Sequence, residues 1–570
     1  MNRTYQHTAL AIAIFVGIIT IFLTTNRQWF FDGDDWGLVL KGAQCKSLKD
    51  FGDYFVHGKI SDLALPIMAE KPTLLENPNN VFFSTLYRPI PLVFHFIQYH
   101  LFGLNAYAYF IFIIVLHAAI ASLLFLLLCW YVRWLLAFCC ALLFAFHPTL
   151  YGWVGKIDTL QSHINLLAGI GFVLLLYKSL QRKNLALYLA SCLLFLFCLL
   201  TRETFIIFPL ILFAWMFALS KHATCEYLVP LKNKLFFLSG FCATAAFYLL
   251  LRGIAYPLLS ASAHTANMSF LDLVIRTCLP NAQSMMQFFY NTFWLQWFPW
   301  KAYAYFKNND LLTFYKCTKA LILFLFIACF ITNTKKIIIT MLLLSALFLW
   351  WPLACGSGIR LMYESVPFCI AAIAFTINFS TFFNYQLFRF MIFALFVPLI
   401  YFNASAVIGR MHHIMYEPRK INAAIQNLTQ SSAHSLSNKP LLFINSTTHS
   451  NSTGILQALH LLKISTTLPQ YFCREIVIKT SNNISDVNKI FRAEKHENRI
   501  RIVSLDPESA WFEAAKPEGP IGLTTQVTTN QKDGNNHIFD ITLTMDIDYF
   551  HPDFTIIAWF FEQEKFVILN

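Results

Sequence analysis

Residues 106–130 read AYAYFIFIIVLHAAIASLLFLLLCW, without one Asp, Glu, Lys or Arg. About 20 apolar residues cross the hydrocarbon core of a bilayer, so this stretch reads as a membrane helix. Comparable runs lie at 8–24, 134–147, 160–177, 185–200, 204–219, 235–251, 312–332, 337–353, 361–379 and 387–408, which together with 106–130 makes about eleven spans. The whole chain agrees, since 57% of its 570 residues are hydrophobic and only 13% are charged, against about 45–50% and about 25% in soluble domains. A soluble globule of that composition could not cover its own surface. A cytosolic enzyme, a secreted disulfide scaffold and a disordered chain are excluded, and the fold class is mainly α, polytopic and transmembrane.

The apolar runs stop near residue 410, and the charge divides there. Residues 411–570 carry 14 Lys+Arg against 16 Asp+Glu, net −2, so the excess belongs to residues 1–410, net +14. Loop cations that fix orientation explain such an excess, and a pI near 9.0 is then poor evidence for nucleic-acid binding. Most cysteines, Cys139, Cys140, Cys192 and Cys198 among them, lie inside apolar runs with no CxxC pair. They read as small core residues rather than zinc ligands or disulfides.

The run at 8–24 follows Arg3 and precedes Thr24, Thr25, Asn26, Arg27, Gln28 and Trp29, with no small-residue cleavage site. It reads as a retained first span. A polar first loop follows at 26–104. Placing the N-terminus in the cytoplasm puts Lys178, Arg182, Lys183, Lys221, Lys232, Lys234, Lys335 and Lys336 all on the cytoplasmic side, as the positive-inside rule requires. The first loop, His147 to Asp158, Thr201 to Glu203, Gly356 to Glu364 and the tail then share the opposite face. Residues 281–300, with Trp294, Trp297, Pro299 and Trp300, resemble an interfacial aromatic belt, and reading them as a further span would invert everything downstream.

Residues 411–570 have ordinary charge density and short β-like runs at Leu441 to Asn445, Glu475 to Lys479, Ile500 to Leu505, His537 to Asp548 and Phe554 to Phe561. Lys532-Asp533-Gly534-Asn535-Asn536 suits a hairpin turn, and Ile455 to Leu462 suits a short helix. A small extracytoplasmic α+β domain is expected, with no helical repeat.

Five polar clusters interrupt the apolar pattern. Phe31-Asp32-Gly33-Asp34-Asp35-Trp36 sets three carboxylates just past the first span. Clustered carboxylates raise one another's pKa, which suits a general base, and they also suit a divalent cation. A solvated acidic loop fits the spacing equally well. Arg88, between Tyr87 and Pro89, precedes the apolar stretch Ile90 to Leu101; an interfacial Arg snorkels or takes an anion such as a lipid-linked phosphate. His147-Pro148 is followed by Lys156, Asp158 and His163, and His147 is either a proton carrier or a structural helix-end residue. Arg202-Glu203, flanked by Leu199-Leu200 and Phe205 to Pro209, needs partners, which an Arg–Glu bridge could also supply. Arg360, Tyr363 and Glu364 follow Gly356-Ser357-Gly358. The orientation puts all five on one side, where acids, cations and aromatics suit a lipid bearing a phosphate and a sugar.

The order of these clusters resembles the multi-spanning glycosyltransferase C superfamily, especially its protein O-mannosyltransferase-like and bacterial polyprenyl-phosphate-sugar members. The matching stretches are FDGDDW at 31–36, YRPIPLVFHFIQYHLFGLNAYAYFIFIIVLHAAIASLL at 87–124, FHPTLYGWVGKIDTL at 146–160, LTRETFIIFPLIL at 200–212 and GIRLMYESVPFC at 358–369. The likeness covers roughly residues 8–408. It implies a transferase that moves a sugar from a polyprenyl-phosphate donor to an extracytoplasmic glycan, lipid or protein, in the bacterial inner membrane. By position, Asp34 and Asp35 match the family's acidic pair, Arg88 its Arg-Pro, His147 its His-Pro, Arg202-Glu203 its basic-Glu pair and Arg360 with Tyr363 its late Arg/Tyr motif. Asp32 is an additional acid, Lys156 stands where relatives often have Arg, and Arg202 where they often have Lys.

The expected machinery is therefore Asp34 or Asp35 as base, Arg88, Arg202 and Arg360 on the donor phosphate, and His147, Lys156, Asp158, Glu203 and Tyr363 in support. No cofactor is required, although Asp32, Asp34 and Asp35 leave a divalent cation open. A transporter or flippase of lipid-linked saccharide is the alternative, and it would carry ionisable residues near the middle of several spans.

Overall fold

The computed structural model describes residues 3–25, most of 29–52, 88–147, 154–202, 205–206, 231–255, a few positions from 327 to 340, Tyr363, 366–415, five positions from 418 to 425, and ten strands between 441 and 569. Before residue 426 these residues are mainly helical. The helices are α1 (Arg3–Thr25), α2 (Gly33–Gln44), α3 (Pro89–Phe102), α4 (Ala106–Cys129), α5 (Trp134–Ala145), α6 (Leu160–Arg182, after a 3-10 turn at Ile157–Thr159), α7 (Leu185–Thr201), α8 (Leu231–Ala255), α9 (Val366–Asn378) and α10 (Gln386–Ile414).

Among the described residues four helices are long and apolar enough to cross a membrane: Tyr5–Thr25, Ala106–Cys129, Ile157–Arg182 and Gln386–Gly409. Their outward faces are apolar as well as their inward ones. Phe390 is 71% exposed and Val397 65%, a pattern that water would penalise and lipid accepts. Four of the expected runs are shorter helices, at Trp134–Ala145, Leu185–Thr201, Leu238–Arg252 and Val366–Asn378. The run at 204–219, almost all of 312–332 and 337–353, and the stretch 281–300 lie outside the described residues, apart from Phe205 and Ile206.

Local chemistry sets the helix ends. Lys183 takes the left-handed conformation (φ 50°) after α6, with its N–H on Ser179 O, and Asn184 accepts from Leu187 N to start α7. Pro89 opens α3, where its missing N–H costs nothing, and Gly103 (φ 56°) closes it on Tyr99 O at 2.7 Å. The first loop is thus not simply polar. It contains α2 and α3, packed where Gly42 meets the His95 carbonyl and Tyr99, and at 1.5 Å per residue the 14 residues of α3 reach only about 21 Å.

The helices share two ends. At one, Trp130 meets Tyr177 at 5.7 Å, Arg133 N donates to Asn378 Oδ1 at 3.3 Å and Asn378 Nδ2 donates to Tyr131 O at 3.4 Å. Arg133, Lys178, Arg182, Lys183 and Arg389 lie here, with no acid in 130–134, 177–185 or 378–389. At the other, Trp29 stacks on Phe110 at 4.6 Å, Phe31 meets Tyr109 at 5.4 Å, and Asn422 Nδ2 donates to Phe31 O at 3.1 Å. The first loop and the chain after α10 therefore leave the bundle at the same end. Tyr188 against Gly240, and Cys192 bonded to Thr244, make α8 parallel to α7.

In the tail, β1 (Leu441–Ile444), β2 (Gln470–Cys473), β3 (Ile476–Thr480), β4 (Phe491–His496), β5 (Arg499–Ser504), β6 (Ala510–Ala514), β7 (Thr524–Asp533), β8 (Asn536–Thr544), β9 (Thr555–Phe560) and β10 (Lys565–Leu569) form three sheets. Their orders are β10-β9-β1-β2, β3-β6 and β4-β5-β8-β7, with β1 parallel to both β2 and β9. Asp533 pairs with Asn536 across the β7–β8 hairpin. The expected helix at 455–462 lies outside the described residues.

Gly42→Ala should lower the thermal midpoint of the detergent-solubilised protein, because the added methyl lands on α3 backbone that cannot step aside, an overpacking cost of about 1–3 kcal/mol. Gly17, with nothing within 4 Å of an added Cβ, is the control, and Gly17→Ala should not lower the midpoint.

Candidate active site

The turn Ile157–His163 gathers three of the five clusters. Ile157 N donates to Asp35 Oδ1 at 2.8 Å, Arg88 Nη1 donates to Gln161 Oε1 at 3.0 Å, and Arg202 Nη1 donates to Ser162 Oγ at 2.6 Å. A helix that begins inside protein has backbone N–H groups with no intrahelical acceptor, and the Asp35 carboxylate satisfies the one just ahead of α6. Thr159 Oγ1 closes the turn on Lys156 O at 2.7 Å. Arg202 reaches the turn from the end of α7, where its own N–H bonds Cys198 O at 2.8 Å.

A second set of contacts closes the neighbouring α5, whose 12 residues span about 18 Å. That is too short to cross alone, so its last carbonyls end within the bundle. Phe146 N bonds Leu142 O, His147 N bonds Phe144 O at 3.2 Å, and His117 of α4 takes Ala145 O at 3.2 Å. A carbonyl can only accept, so His117 Nε2 is the protonated nitrogen. In the neutral ring Nδ1 then accepts, and the Tyr363 hydroxyl donates to it at 2.8 Å. His163 bonds Thr159 O through Nδ1 at 3.0 Å and lies 4.4 Å, ring to ring, from Tyr363. Its Nε2 is buried with no hydrogen-bond partner among the described residues.

Burial sorts these residues. Asp35, His147, Ser162, His163, Arg202 and Tyr363 are buried, whereas Arg88, Lys156, Asp158 and Gln161 are half-buried. His147 stands in the connection between α5 and α6, outside both helices.

Of the residues expected from sequence, Asp35, Arg88 and Arg202 come together on one turn that Lys156 and Asp158 border or belong to. Tyr363 joins that turn through His163. Asp34 is described only as backbone in the first turn of α2, and Asp32, Glu203 and Arg360 lie outside the described residues. Gln161, Ser162 and His117 had no place in the sequence reading, and His163 had no assigned role. His117 carried a usable signal, being the one ionisable side chain besides tyrosines and Cys129 in 106–130, where a polar group requires a partner. Gln161 and Ser162 carried none.

Among the described residues no group of three or more His, Cys, Asp or Glu is placed to hold a metal ion. Among the described residues no cysteine forms a disulfide, and Cys139, Cys140 and Cys198 are buried. No protein-family model matches the chain, and no curated protein matches it.

Proposed function

We propose that the chain is a membrane glycosyltransferase of the glycosyltransferase C type, transferring a sugar from a polyprenyl-phosphate donor to an extracytoplasmic glycan, lipid or protein. The observation that carries this reading is the convergence of Asp35, Arg88 and Arg202, separated by more than 160 residues, on one turn, whose His163 meets His117 midway along α4. An acid next to arginines suits the reaction. A carboxylate takes the proton of the acceptor hydroxyl, the hydroxyl oxygen attacks the anomeric carbon, and the sugar–phosphate C–O bond breaks with its electron pair passing to the phosphate. Arg88, with Arg360 as a further candidate, stabilises that developing charge. Asp34, the first acid of the pair, is the base and Asp35, which also accepts from Ile157 N–H, is the second candidate.

The rest of the proposal is topological. Eleven spans, a bacterial inner membrane and an extracytoplasmic α+β tail are part of it. The cationic, acid-free end with exposed Trp130, Tyr131 and Trp134 supports a cytoplasmic assignment for that end, and hence an outer site. His117, midway along α4, caps α5 rather than lining a mid-span path, which favours an enzyme over a flippase.

The direct test is transfer by the purified protein in nanodiscs, using a panel of polyprenyl-phosphate sugars. Asp34→Asn should reduce transfer by about 10²–10⁴-fold. Asp35→Asn, which keeps an oxygen for Ile157 N–H, should retain far more activity than Asp35→Ala. Near wild-type transfer by Asp34→Asn would remove the acidic loop from the mechanism. For orientation, reporter fusions near Asn445 and within Lys221 to Lys234 should report opposite sides of the membrane, and the same side for both would refute the assignment.

A further inference from the structure

The turn that gathers the arginines has two faces of different accessibility. Asp35, Ser162, His163 and Arg202 are sealed from solvent, and Arg88, Lys156, Asp158 and Gln161 are not. An anion therefore meets the second group before the first. Arg88 is the guanidinium of that group, and its Nη1 is held by Gln161 Oε1 at 3.0 Å. An amide oxygen occupies one N–H and fixes the guanidinium plane, yet brings no charge to neutralise it. A carboxylate at the same place would pair with Arg88 and compete with the phosphate. Arg202 is different: its side chain is fully buried, and its bond to Ser162 ties the end of α7 to the start of α6.

We infer that Gln161 is a positioning residue that presents Arg88 to the phosphate of the lipid-linked donor, and that Arg202, acting through Ser162, braces the two helices without touching the donor. This rests on the glycosyltransferase reading for the ligand's identity, a phosphate ester on a prenyl chain. It departs from the sequence expectation that Arg88, Arg202 and Arg360 all hold the phosphate. The division of labour follows from burial, since a fully enclosed guanidinium meets an anion only if the helix junction opens.

The full-length protein in nanodiscs is titrated with polyprenyl phosphate and, separately, with the corresponding polyprenol. The wild type should bind the phosphate and not the alcohol. Gln161→Glu should weaken phosphate binding at least about tenfold and raise the donor KM with little change in kcat, while the ligand-free thermal midpoint stays put. Ser162→Ala should lower the ligand-free midpoint and leave phosphate affinity within about twofold, and Ser162→Thr, which keeps the hydroxyl, should restore the midpoint. Wild-type affinity in Gln161→Glu, or an equal loss of affinity in Ser162→Ala, would overturn the inference while leaving the functional reading intact. A wild type that does not distinguish phosphate from alcohol would overturn both.

Discussion

A buried carboxylate accepting from a buried backbone amide, Asp35 Oδ1 on Ile157 N at 2.8 Å, is the contact on which the arrangement turns. In an apolar bundle, water is not there to satisfy the ends of helices, so any helix that starts or stops inside must find a side chain for each exposed peptide group. The segment around α5 and α6 contains both cases. Asp35 serves the approach to α6, and His117 serves the end of α5. Leaving such a group unpaired typically costs about 1–3 kcal/mol, which makes these residues difficult to replace even where they do no chemistry. The same bond brings the first loop to the turn that Arg88 and Arg202 also reach.

Depth follows from the same helices. His117 is level with the end of α5, and thirteen residues further along α4 lies Trp130, about 20 Å away. The ring contact of Trp130 with Tyr177 gives an independent ruler on α6, since His163 and Tyr177 are fourteen residues apart, about 21 Å. Two helices thus agree on the distance between the cationic aromatic rim and the polar centre. The upper half of α4 is covered by Trp29, Phe31 and Phe102 rather than by α5.

The apolar runs were legible because lipid imposes a length and composition that no other solvent does, and the runs at 106–130 and 160–177 became helices at Ala106–Cys129 and Leu160–Arg182. The end of α5 was legible, since the run 134–147 stops at His147-Pro148; the contact of its last carbonyls with His117 was not. Asp35, Arg88 and Arg202 stood out because charge beside apolar runs is costly. Their partners Gln161 and Ser162 did not, since neutral polar residues near a helix start are common and their role arises only from what packs across from them. Strands such as Phe491–His496 (FRAEKH) were missed because four of their six side chains can ionise, which masks a period-two pattern.

The truncated α5 has one more effect. Peptide dipoles align along a helix, leaving a partial negative charge at its carboxyl end and a partial positive charge at its amino end. The carboxyl end of α5 and the amino end of α6 lie in the same layer, the first by His117 and the second by Arg88 and Gln161. The backbone itself therefore sets up a potential gradient across the interior. An anion entering that layer is drawn toward Gln161 and repelled from Ala145, whereas a hydroxyl or amide proton is favoured in the opposite direction.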